Sequence, residues 1–86
     1  MGHFAENFVR QIKADMLFFS SQGLSENGDI TDSSEEEVAL RRAMMGSAKE
    51  HYFLCDSSKL GRDYPFVLSN SADVSATVFD DEVKKT

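Results

Sequence analysis

Two short apolar runs, Met16-Leu17-Phe18-Phe19 and His51-Tyr52-Phe53-Leu54-Cys55, each end abruptly in polar sequence, with a helix-length stretch between them. This spacing narrows the choice of folds more than any other feature. Strand, helical crossover and strand make a parallel pair with a right-handed connection. Ligands of such sheets bind just beyond the carboxyl ends of the strands. The polar segments 20–32 and 56–62 therefore open on one edge, and function is expected there.

The remaining pattern is consistent with an α/β chain of order α-β-α-β-(short element)-β. Phe4, Phe8, Val9 and Ile12 recur at helical spacing and predict a helix over 3–13. The run ending at Phe19 reads as a strand buried on both faces. Residues 20–32 read as loop, with Asn27-Gly28 as a turn signal. Residues 34–50 predict the clearest helix. Ser33 with Glu36, and Ser34 with Glu37, both fit capping-box spacing, and Glu35-Glu36-Glu37 suit the positive end of the helix dipole. Leu40, Ala43, Met44, Ser47 and Ala48 follow the helical template. Phe66-Val67-Leu68 is a short strand or a helical turn, 69–73 a connector, 74–79 a third strand, and 82–86 a frayed tail. The expected fold is thus a three-layer parallel-sheet fragment of about three strands with flanking helices.

At 86 residues the chain is one domain at most, and one this small is marginal alone. No apolar run approaches the roughly 20 residues of a membrane span, and the amphipathic, acidic start is not that of a signal peptide. A single cysteine, Cys55, excludes an internal disulfide. It reads as a small buried hydrophobe in a cytoplasmic protein. Net charge is −6, with the nine basic residues dispersed, which argues against direct nucleic-acid binding.

The chemistry concentrates in the two loops. Backbone N–H groups of Ser20-Ser21-Gln22-Gly23 can cradle an anion. Lys59 supplies a mobile positive charge suited to phosphate, and Ser57 and Ser58 supply hydroxyls. Asp56 either accepts from a sugar hydroxyl or pairs with Lys59. Gly23 and Gly28 provide turn geometry or a close approach to ligand. His3 and His51 stand in no recognisable relation to an acid and a nucleophile. There is no Cys/His cluster, P-loop or GxGxxG pattern, so no metal or cofactor is expected.

Several segments in this order resemble one family. Asp15-Met-Leu-Phe-Phe-Ser-Ser-Gln-Gly-Leu-Ser-Glu-Asn-Gly-Asp-Ile-Thr is followed by a glutamate-started helix carrying Leu40-Arg41-Arg42-Ala43-Met44. Then come Leu54-Cys55-Asp56-Ser57-Ser58-Lys59-Leu60-Gly61 and Asp73-Val74 before a strand ending in Asp80. Over roughly residues 5–82 the chain resembles the second half of the sugar-sensing domain of DeoR-type transcriptional repressors. The most distinctive part is Asp-x-Ser-Lys-x-Gly, matched by Asp56, Ser58, Lys59 and Gly61.

The resemblance implies a Rossmann-like fold related to ribose-5-phosphate isomerase and glucosamine-6-phosphate deaminase. It implies a phosphorylated sugar effector that modulates DNA binding by a separate N-terminal winged helix. It also implies that 1–86 is a single partial domain, lacking the winged helix and the first half of the sensing domain. The expected ligand-binding residues are Ser21, Gln22, Gly23, Gly28, Asp56, Ser58, Lys59 and Gly61. Gln22 and Leu24 stand where the related enzymes carry catalytic acids, which favours sensing over turnover. Two rival readings are a partial sugar-phosphate isomerase or deaminase, and an oligomerisation module using Phe4, Phe8, Phe66 and Phe79. A homo-oligomer is the expected assembly.

Overall fold

The computed structural model describes residues 2–86, with side chains from Ala5 onward. Met1 and the side chains of His3 and Phe4 lie outside the described residues. In chain order the elements are α1 (Gly2–Val9), β1 (Ala14–Phe19), β2 (Gly23–Leu24), β3 (Asp29–Asp32), α2 (Glu35–Gly46), β4 (Ala48–Leu54), a 3-10 turn (Ser57–Lys59), β5 (Phe66–Asn70), β6 (Ala76–Val78) and β7 (Val83–Lys85).

These strands form two sheets, ordered β1-β4-β6-β7 and β2-β3-β5. The expected parallel pairing holds for β1 with β4 and for β4 with β6. The first sheet is nevertheless mixed, because β7 pairs antiparallel with β6. The tail that read as frayed is this strand. The second sheet is antiparallel throughout. It occupies much of the segment read as loop, so the expected count of about three strands was too low.

β1 and β4 run in register, Phe18 opposite Tyr52 and Phe19 opposite Phe53. Side chains alternate across a strand, so one face carries Phe19 and Phe53 into the core. The other presents Phe18 stacked on Tyr52, ring centroids 5.1 Å apart. β1 is therefore not buried on both faces: Phe18 is 56% and Met16 49% exposed. Leu54 and Val83 are exposed large apolar residues of the same sheet. No helix of the described residues makes a third layer over this surface.

α2 forms where its caps dictate. Ser34 is the N-cap, in extended conformation, and its hydroxyl accepts from Glu37 N at 3.3 Å. The helix stops at Gly46 rather than at residue 50, because Ser47 is committed elsewhere. Its hydroxyl donates to the Val9 carbonyl at 2.9 Å or that of Ala43 at 3.2 Å, while its own carbonyl accepts from Ala14 N. α1 likewise ends at Val9, its last turn tightened by i to i−3 bonds from Gln11 and Ile12.

Phe19, Leu24, Ile30, Val38, Phe53, Cys55, Leu68 and Val74 form the core, with Phe66 and Phe79 packed against it. This core joins both sheets to α2 and fixes the loops at the carboxyl ends of β1 and β4. Among the described residues no helix is long and apolar enough to cross a membrane.

Candidate functional site

β1 and β4 are parallel neighbours, so the segments that follow them emerge side by side. They meet over a cleft of about 580 Å³. Ser20, Ser21 and Gln22 line it from β1, Ser34, Glu37 and Arg41 from α2, and Ser58, Lys59, Arg62 and Tyr64 from the segment after β4. Asp32 lies at its floor, 3% exposed.

Four of the eight expected residues meet in this cleft: Ser21, Gln22, Ser58 and Lys59. Two of them already serve the protein. Ser21 Oγ donates to the Thr31 carbonyl at 2.6 Å and lies 3.3 Å from Asp32 Oδ2. Gln22 Oε1 accepts from Ser33 N at 3.1 Å, tying the end of β1 to the start of α2. Their side chains therefore shape the site.

Asp56 does not line this cleft but a neighbouring hollow that shares Ser20 and Lys59 with it; it caps the 3-10 turn, accepting from Ser58 N at 3.0 Å and from the Ser58 hydroxyl. It forms no ion pair with Lys59 among the described residues. The Ser58 hydroxyl bond holds its carboxyl below the usual carboxylate range; partial desolvation opposes this, and the Ser58 amide and the charges of Lys59 and Arg62 assist. Cys55, just before it, is buried, and that burial pushes its thiol up.

The three glycines act through the backbone. Gly61 has φ +81° and donates its amide to the Leu24 carbonyl at 2.8 Å. That bond, with the Leu24–Leu60 bridge, fastens the Lys59 loop to the second sheet. A side chain at Gly23 would bring a Cβ within 2.4 Å of the Arg62 carbonyl oxygen, so this glycine permits the two segments to cross. Gly28 is not part of the cleft. It makes the turn between β2 and β3 at φ +87°, its amide donating to the Ser25 carbonyl.

Arg41, Arg62, Tyr64, Asp32 and Glu37 were not among the expected site residues. Arg41 Nη1 bridges Asp32 Oδ2 at 3.3 Å and Glu37 Oε2 at 3.1 Å. Both cleft carboxylates are thereby paired, while Lys59 and Arg62 form no ion pair among the described residues. The first turn of α2 is closed to an anion: Ser34 and Asp32 cap it, and three glutamates follow. His51 is in β4, away from the cleft, its Nε2 set against the carbonyls of Met45 and Ala48 at 2.6 and 3.0 Å.

Comparison with known proteins matches this sequence to one group. The family model "DeoR C terminal sensor domain" matches residues 1–81. The L-fucose operon activator of Haemophilus influenzae is 30% identical over 80 residues, 93% of this chain and 32% of that protein. The lactose phosphotransferase system repressor of Staphylococcus epidermidis is 35% identical over 63 residues, 73% of this chain and 25% of that protein. The HTH-type transcriptional regulator GlpR of Haloferax volcanii is 31% identical over 62 residues, 72% of this chain and 24% of that protein. The chain thus spans about a quarter to a third of the length of these relatives. With the family match covering nearly all of it, the chain belongs to the DeoR C-terminal sensor domain family.

Proposed function

We propose that this chain is the effector-sensing part of a DeoR-type regulator of sugar metabolism. A phosphorylated sugar or related metabolite binds the cleft at Lys59. Its binding alters DNA affinity in a separate N-terminal domain of a cytoplasmic homo-oligomer. The observation that carries this reading is the convergence of the Lys59 loop with Ser21 and Gln22 over one cleft, where the ammonium has no carboxylate partner among the described residues. The relatives include an L-fucose operon activator and a lactose phosphotransferase system repressor, which supports a sugar-linked effector. The exposed apolar face of the first sheet supports burial against further polypeptide in the assembled regulator.

Sensing suits the cleft better than turnover. Asp32 and Glu37 are both held by Arg41, and His51 is hydrogen-bonded elsewhere. General acid–base catalysis needs a proton-transfer group within reach of the substrate.

Calorimetry of the full-length protein against a panel of pentose, hexose and triose phosphates tests the reading. Lys59→Ala is expected to weaken the best ligand by roughly ten- to a hundredfold, the loss of one charge-assisted hydrogen bond. Unchanged affinity would remove Lys59 from the site. Turnover of ribose 5-phosphate or glucosamine 6-phosphate would favour the enzyme reading.

A further inference from the structure

We infer that Arg62 is a second anion contact, forming with Lys59 a two-cation clamp that selects a phosphomonoester dianion over a neutral sugar. This inference rests on the sensing role proposed for the cleft and adds a residue that determines its specificity.

The charges of the cleft lead to it. Three cations and two carboxylates line it: Lys59, Arg62 and Arg41 against Asp32 and Glu37. Arg41 is shared between both carboxylates. Three cations against two carboxylates leave a surplus of one positive charge in a chain whose net charge is −6, and Lys59 and Arg62 are the cleft cations that form no ion pair among the described residues. Asp56 registers both, since their charges help to hold its carboxyl low, yet it pairs with neither and is hydrogen-bonded to Ser58.

The backbone places Arg62 deliberately. Its amide donates to the Lys59 carbonyl at 3.3 Å, closing one turn, and both residues line the cleft. Gly61, at φ +81°, redirects the chain just before it, and the absent side chain at Gly23 lets its carbonyl pass within contact of β2. A guanidinium offers a planar fork of donors that matches phosphate oxygens, and an ammonium adds a point charge. A monoester phosphate gains its second charge with a pKa near about 6. Two cations therefore favour binding above that pH.

The test uses the full-length protein with glucose 6-phosphate, ribose 5-phosphate and inorganic phosphate as probes, and glucose and ribose as neutral controls. Affinities are measured at pH 5.5 and 7.5 for the unsubstituted protein, Arg62→Ala, Arg62→Lys and Lys59→Ala. Arg62 is exposed, so its substitution is expected to leave thermal unfolding of the free protein unchanged. The clamp predicts that Arg62→Ala weakens the phosphorylated probes about tenfold or more, flattens the pH dependence, and is partly rescued by Arg62→Lys. If Lys59→Ala loses binding while Arg62→Ala keeps full affinity and an unchanged pH profile, the clamp is wrong and the sensing site stands. If the unsubstituted protein prefers the neutral sugars or binds none of the probes, the proposed phosphate site fails and the clamp fails with it.

Discussion

Asp56 shows how one side chain sets the geometry of this site. Its carboxylate caps the 3-10 turn that carries Lys59 by accepting from the Ser58 amide, and a second bond from the Ser58 hydroxyl is the main cause of its lowered pKa. A carboxyl depressed in the folded state contributes stability that is present above its unfolded value, near about 3.9. That contribution is lost as pH falls through the folded value. The carboxyl carbon of Asp56, followed by NMR, is therefore expected to titrate at lower pH in the native protein than in Ser58→Ala. Identical midpoints would refute the hydroxyl bond as the cause. Ser58 and Lys59 were readable as residues of the cleft because they closely follow an apolar run, whereas Asp56 and Gly61, read with them, do not line it. Arg62 and Arg41 were not readable, although Arg62 directly follows Gly61. Basic residues dispersed along the chain look unrelated until the fold gathers them, and only tertiary contacts show which are already paired.

Among the elements, the N-terminus of α2 was the most readable. The serine pair followed by three glutamates signals a capped helix, and Ser34 is the residue that caps it. Replacing an N-cap serine by alanine costs about 1 kcal/mol. Ser34→Ala should lower the urea-unfolding stability by about that amount. Ser33→Ala should cost only a few tenths of a kcal/mol, the usual range for surface substitutions. Equal losses in the two variants would contradict the cap assignment. The far end of α2 was not readable, because Ser47 and Ala48 continue the helical pattern of apolar positions. The bonds from Ser47 to α1 and β1 that end the helix are long-range. β2 and β3 were hidden for a different reason. Leu24 and Ile30 are their core-forming apolar residues, which is too few to show a period of two. The Asn27-Gly28 turn was visible, and a hairpin is what such a turn joins.

For the whole molecule, the α/β class and the parallel order of β1, β4 and β6 followed from the spacing of apolar runs. The second sheet and β7 did not: β3 pairs with β5 far along the chain, and β7, although it pairs with the adjacent β6, offers only Val83 as an apolar residue before two lysines. The result is a sheet whose inner face holds the core and whose outer face exposes Met16, Phe18, Leu54 and Val83. All of the ligand chemistry proposed here sits at one edge of that sheet, beyond the carboxyl ends of β1 and β4. The decisive measurement is an amide NMR titration of the protein with the sugar phosphate that binds it best. A ligand seated in the Lys59 cleft predicts that the largest shifts cluster at Ser21, Gln22, Ser58, Lys59 and Arg62, with Gly28 and β7 little changed. Shifts centred on the Gly28 turn or on β6 and β7, with the Lys59 loop unmoved, would contradict it.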